Sequence, residues 1–178
     1  MRIRNDGTVS RLLRDVPLPK MFHAQQKFPD AHIEREDIEK TIFEEIRRSG
    51  MGERIRPGMR IAVTAGSRGI RNVDEITRSV VACVRSYGAE PFIVPAMGSH
   101  GGATAEGQKE LLAGYGITEE AMGCPIRSSM ETVLLGQSEL GKPVYMDRNA
   151  YESDGVVLSC RPNSRDRKST RLNSSHIT

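Results

Sequence analysis

The feature that most constrains this chain is one pattern that occurs twice: a short apolar run, a glycine-rich turn, then an amphipathic stretch. Residues 60–66 (Arg-Ile-Ala-Val-Thr-Ala-Gly) run directly into Gly66-Ser67-Arg68-Gly69. Beyond that turn, Val73, Ile76, Val80, Val84 and Tyr87 recur at helical spacing until Gly88. Residues 91–95 (Pro-Phe-Ile-Val-Pro) then feed a second turn, Gly98-Ser99-His100-Gly101-Gly102. Thr104 stands where a helix cap is needed, before a stretch that carries Leu111 and Leu112 and ends by Gly116. Parallel neighbours need a long crossover, and a helix supplies it. Two strand–loop–helix units in succession therefore predict a parallel sheet covered by helices. The expected fold class is α/β, a Rossmann-like parallel sheet flanked by helices, present here as an incomplete domain.

The flanking regions read as follows. In residues 34–49, Ile38, Ile42 and Ile46 fall at i, i+4 and i+8 with Phe43 beside them, so one stripe is apolar and a helix is predicted. Acidic residues at its start and Arg47 and Arg48 at its end suit the helix macrodipole. Asn72 is expected to cap the helix after the first loop, with Glu75 at the capping-box position. After Gly123, residues 131–135 and 143–146 are strand candidates joined by a turn over 136–141. Asp154-Gly155 is a turn leading into the buried-strand pattern Val156-Val157-Leu158. Residues 1–34 form an arm, broken at Val16-Pro17-Leu18-Pro19 and Phe28-Pro29-Asp30, with one short strand expected around residues 8–13.

The last segment, residues 166–178, reads Asp-Arg-Lys-Ser-Thr-Arg-Leu-Asn-Ser-Ser-His-Ile-Thr and has no apolar period. It fits a native basic tail, but along its whole length it resembles the translation of a short-read sequencing adapter. On that reading it is a non-native tail and is set aside, with native sequence expected to stop near Arg161. The expected division is thus an arm over 1–34, the α/β domain over 35–161, and the tail over 166–178. The tail supplies +2 of the formal net charge of +3, so the remainder carries +1. The basic balance is then no sign of a nucleic-acid partner. The absence of Trp, with four Phe and four Tyr, also argues against stacking platforms for single strands. No apolar run approaches the roughly 18 residues that cross a bilayer, and no apolar segment follows Met1–Asp6, so no membrane association is expected and a cytoplasmic location is the default. Cys83, Cys124 and Cys160 form no CxxC unit, so no metal site is expected among them. Cys83 is expected as a buried small hydrophobe.

Ligands of open α/β sheets bind beyond the carboxyl ends of the strands, where both glycine-rich loops lie. Backbone amides at a helix N-terminus attract anions, and glycine lets them approach closely. Gly66, Ser67, Gly98, Ser99, Gly101, Gly102 and Thr104 are therefore candidates for holding a substrate or cofactor anion. Arg68 offers a fixed charge and a bidentate fork. His100 is the histidine of these loops, and imidazole exchanges protons near neutral pH, so it is the catalytic candidate. The plainer readings stand beside these. Glycines also make tight turns, Arg68 can face water, and His100 can bond only its own loop. Neither loop is a Walker A or a G-x-G-x-x-G motif.

The runs Gly66-Ser-Arg-Gly-Ile70, Val73-Asp-Glu-Ile76 and Gly88-Ala-Glu-Pro-Phe-Ile-Val-Pro-Ala-Met-Gly-Ser-His-Gly-Gly-Ala-Thr104 resemble the N-terminal domain of the nickel-dependent lactate racemase-like family. The similarity continues through Leu111-Leu-Ala-Gly-Tyr-Gly-Ile117, Gly141-Lys-Pro-Val144 and Asp154-Gly-Val-Val157, and ends about Arg161. The resemblance implies an isomerase that interconverts a small-molecule 2-hydroxy acid by hydride and proton transfer through its 2-oxo acid, using a nickel-pincer nucleotide. It also implies that His100 is one of two acid–base histidines and that Arg68 is the first loop's arginine. The second histidine, the lysine that anchors the cofactor and the histidine that ligates nickel belong, by that resemblance, downstream of Arg161, so the fragment is expected to be inactive alone. The family's racemases carry Asp three residues before the arginine, where this chain has Ala65. That departure keeps a second reading open: a non-catalytic α/β module that binds an anionic ligand or nucleotide. Neither substrate stereochemistry nor oligomeric state follows from the sequence.

Overall fold

A computed structural model describes residues 15–17, 23, 25, 32–67 and 70–160 of the chain. The chain divides into two compact units, Met1–His32 and Ile33–Thr178, and the fold below is that of the second. The strand expected at residues 8–13, the tail, and Arg68 and Gly69 lie outside the described residues.

Strands β1 (Arg60–Ala65) and β2 (Glu90–Pro95) pair in parallel, from Arg60 opposite Glu90 to Ala65 opposite Pro95. A third strand, β5 (Gly155–Val157), pairs in parallel with β1 on its other side, giving the order β2-β1-β5. The crossover from β1 to β2 is helix α2 (Val73–Ser86), and α1 (Ile38–Arg48) packs against α2. Helix α3 (Ala105–Gly114) follows β2. The expected parallel sheet flanked by helices is thus the fold, with three strands: an α/β domain. Between β2 and β5 the chain makes two single-turn helices, α4 (Glu119–Met122) and α5 (Arg148–Tyr151). It also makes the antiparallel hairpin β3 (Thr132–Gln137) and β4 (Pro143–Asp147), with a bulge between Leu134 and Gly136.

The strands form where they do because both faces of the sheet are covered. A strand buried on both sides reads as an unbroken apolar run rather than an alternating one. Ile61, Val63, Ala65 and Ile93 join Val80, Val81 and Val84 of α2 and Leu112 of α3 in the main core. Ala62, Phe92, Val94 and Val156 point to the other face and meet Ala150 and Met146 in a smaller core. Each fully buried Ile, Leu or Val contributes about 1.5–3 kcal/mol from leaving water, so the main core carries most of the stability. Ile38 and Ile46 of α1 are buried, and Ile42 packs at the core's edge, as the apolar stripe requires. Cys83 lies fully buried, as expected, and Cys124 is buried too. Burial pushes both thiols up, the latter to about 11.

Two local details fix the ends of β1. Asp154 does more than make a turn: its Oδ2 accepts the Arg60 amide at 2.7 Å, and its own amide donates to the Arg60 carbonyl at 2.9 Å. This sets β5 beside β1. At the other end, the Ala96 amide, one residue past β2, donates to the carbonyl of Ala65, the last residue of β1, at 2.7 Å. The two loops therefore begin side by side.

Asn72 departs from the expected cap. Its backbone is left-handed, with φ 58°, and its side chain makes no bond to the helix amides. The turned backbone swings the carboxamide away from the helix N-terminus, and its Oδ1 accepts from Arg35 Nη1 at 3.3 Å instead. Glu75, placed by sequence in a capping box, accepts from Arg78 Nη2 at 2.6 Å on both carboxylate oxygens and lies 3.5 Å from Arg35 Nη2. Charges at the helix start replace the cap. Among the described residues no helix is long and apolar enough to cross a membrane.

Candidate functional site

The loop after β2 is built by its own helix. Thr104 has extended backbone, and its Oγ1 accepts the Gly107 amide at 3.1 Å, as a cap should; its hydroxyl also donates to the Gly101 carbonyl at 3.2 Å. Both valences of Thr104 are thus spent on the loop itself. Gln108, buried one turn into α3, donates from Nε2 to the Gly98 carbonyl at 2.8 Å and lies 3.4 Å from the His100 carbonyl. Gly101 has φ +66°, and a Cβ there would lie 2.5 Å from the Gly107 carbonyl carbon. Backbone against backbone at that distance leaves no room for a side chain. The sequence assigned these glycines to anion binding. The structure gives Gly101 a structural reason to be glycine as well.

The loop after β1 enters the site through Ser67. Its side chain is buried, and its Oγ lies 2.5 Å from His100 Nδ1. Its carbonyl accepts from Tyr115 Oη at 2.8 Å, from the C-terminal end of α3. Gly66 has ordinary space around it: the nearest atom to an added Cβ is the Ala96 carbonyl oxygen at 3.9 Å. His100 itself is exposed, so one face of its ring is open while Nδ1 is engaged. The sequence-predicted residues Ser67 and His100 meet. Arg68 lies outside the described residues.

The amides of Ser99, Gly101 and Gly102 make no hydrogen bond to a carbonyl of another described residue. They sit just before the N-terminus of α3, where the helix dipole favours negative charge. An open groove of about 180 Å³ adjoins this loop, lined among others by Met97, Gly98, Gln108, Ser129, Met130 and Asp147. Met97 is buried in the core and also forms part of the groove wall. Sequence reasoning missed Gln108, Tyr115 and Asp147. Gln108 and Tyr115 sit within or next to the α3 pattern, and only the strand register shows that they reach the loops.

The chain is thus an α/β domain of the open-sheet class, with two loops meeting beyond the carboxyl ends of adjacent parallel strands, the place where ligands of such sheets bind. The model of the family described as the lactate racemase N-terminal domain matches residues 6–161. The chain belongs to that family. No curated protein and no solved structure matches it. The family implies a nickel-containing cofactor. Among the described residues, however, no group of three His, Cys, Asp or Glu side chains could hold a metal ion.

Proposed function

We propose that this domain forms one wall of the active site of an isomerase that acts on a 2-hydroxy acid. Inversion at C2 by this route requires a hydride to leave C2 while the hydroxyl proton leaves oxygen, giving the 2-oxo acid. Both then return with the hydride on the opposite face. Hydride acceptance is left to the cofactor that the family implies. The part of this chain is to move a proton at the substrate oxygen, through His100, and to hold the carboxylate against the amides of Ser99, Gly101 and Gly102. Arg68 would add a fixed charge to that carboxylate. A positioned acid–base group of this kind contributes about 10²–10⁴-fold. The observation that carries the reading is the Ser67–His100 contact, which joins the two family-matched loops beyond the carboxyl ends of β1 and β2.

The chain alone is not expected to racemise lactate. By the resemblance, the opposite-face histidine and the cofactor-holding residues belong beyond Arg161. The test is an NMR titration of the full chain with D-lactate, L-lactate and pyruvate, beside polarimetry with and without added cofactor. Amide shifts confined to residues 98–104, lost in His100→Ala, are expected, with no change in optical rotation. Cofactor-dependent turnover abolished by His100→Ala would refute the inactivity. Shifts produced by a nucleotide, with none from either acid, would favour a second reading. In it the domain is a non-catalytic module that binds an anion or nucleotide. Ala65 favours that alternative. Where the family's racemases carry an acid, this chain has a methyl group buried in the core.

A further inference from the structure

Ser67 belongs to the loop after β1, and its hydroxyl has one polar neighbour among the described residues: His100 Nδ1 at 2.5 Å. The Tyr115 hydroxyl is spent on the Ser67 carbonyl, not on the side chain. Ser67 is also buried, so its hydroxyl proton cannot be handed freely to solvent. A neutral imidazole has one donor nitrogen and one acceptor, and what binds one nitrogen decides the other. If Nδ1 carried the proton and donated it to Oγ, the hydroxyl hydrogen would be left in a buried place with no acceptor among the described residues. If the hydroxyl donates to Nδ1, every proton is placed. The backbone beneath the ring is fixed independently, by Gln108 at the Gly98 and His100 carbonyls.

We infer that Ser67 is a positioning residue for His100: its hydroxyl donates to Nδ1, so the neutral ring carries its proton on Nε2 and presents an N–H to the cleft. A carboxylate at Nδ1 would do the opposite, fixing a proton there and leaving a lone pair on Nε2. The difference decides which ligand oxygen the ring meets first. An Nε2–H points at an acceptor, the keto oxygen of a 2-oxo acid, rather than at the proton of a 2-hydroxy acid. To take a proton from a hydroxyl, the neutral ring must first lose its Nε2 proton and gain one at Nδ1, a change that a hydroxyl donating to Nδ1 opposes. This bearing on the ligand rests on the function proposed above; the tautomer does not.

The experiment is long-range ¹H–¹⁵N NMR of the full chain without ligand, at a pH where the ring is neutral, with His100 assigned by its loss in His100→Gln. In the wild type Nδ1 should be acceptor-type and Nε2 donor-type. The ratio should fall about tenfold toward that of free imidazole in Ser67→Ala, as loss of one hydrogen bond predicts. Ser67→Thr, which keeps the hydroxyl, should restore it. A proton on Nδ1 in the wild type, or a ratio unchanged in Ser67→Ala, overturns the assignment. The wild-type spectrum decides the matter even if Ser67→Ala fails to fold. Because no ligand is present, a failure of lactate or pyruvate to bind counts against the proposed function and not against this assignment.

Discussion

The two glycine-rich loops leave neighbouring strands at the same end of the sheet, yet they are held in opposite ways. The loop after β2 is held locally: Thr104 caps α3 and ties to Gly101, Gln108 reaches back ten residues, and Gly101 lies against Gly107. The loop after β1 is held from far along the chain. Tyr115 reaches the Ser67 carbonyl across 48 residues and His100 the Ser67 hydroxyl across 33, while Arg35 grips Asn72 and Asp74 at the loop's downstream end. Local contacts cost little loop-closure entropy and can form with the helix itself. Distant ones form only once the sheet is registered. The second loop is therefore the template, and the first is shaped against it.

Replacing Gly101 should produce the largest effect and can break this comparison outright. Gly101→Ala adds left-handed strain and also drives a Cβ into the backbone of Gly107 and Gln108. Gly102 shares the same sign of φ, at +69°, but has open space around it. Gly102→Ala should cost about 1–2 kcal/mol, the price of the left-handed conformation alone. Gly101→Ala should cost about 3 kcal/mol or more, since the helix start must shift. Denaturant unfolding of the two variants measures the difference. Equal losses would mean that the close approach does not hold the second loop.

Gln108→Met keeps length and bulk but removes the donor that serves two carbonyls. Gly98 and His100 are exposed, so water can replace the lost donor and each bond is worth about 0.5–1.5 kcal/mol, the Gly98 bond, at 2.8 Å, being the better made. A loss of about 1 kcal/mol is expected. Hydrogen exchange should rise at residues 98–103 before it rises in β1 or β2. Faster exchange in the strands with the loop unchanged would show that Gln108 serves the core rather than the loop.

Much of this architecture was legible in the sequence, and the reason lies in burial. β1 and β2 are covered on both faces, so their residues had to form unbroken apolar runs. α1 is covered on one, so Ile38, Ile42 and Ile46 had to recur every four residues. The hairpin was visible from its turn, Ser138–Gly141, although Leu134 and Tyr145, which face each other across it, are exposed. α4 and α5 were not visible. A single turn holds too few residues for a period, and their only marks are Thr118 and Asp147, which cap them. Asn72 was misread because side-chain capacity to cap was visible while its left-handed backbone was not. In the site, Ser67 and His100 were each legible as loop residues. Their meeting required the β1–β2 register, with Ala65 opposite Pro95, which no local pattern supplies.

The smallest effect is an acid one, and it bears on the far-held loop alone. Asp74, in the first turn of α2, accepts from Arg35 Nη2 at 2.6 Å and from Nη1 at 3.4 Å. The Arg35 guanidinium holds the Asp74 carboxyl below its ordinary value. A carboxyl with a depressed folded pKa adds stability that is complete above its unfolded value, near 4, and is lost as pH falls through the folded one. Acid should therefore release the downstream end of the first loop while leaving Gly98–Thr104, which no carboxylate among the described residues anchors, in place. The pair is largely exposed, so the effect is small and salt weakens it further. Glu45 beside Arg48 and Glu119 beside Lys109 are also depressed, so overall stability falls across the same range. Asp74→Asn separates the contributions. Two-dimensional NMR from pH 6 to 3 should show residues 72–76 moving before residues 98–104 in the wild type. In Asp74→Asn they should already sit at their acid positions at pH 6. Movement of both loops together, or an unchanged acid step in Asp74→Asn, would place the anchor of the first loop elsewhere.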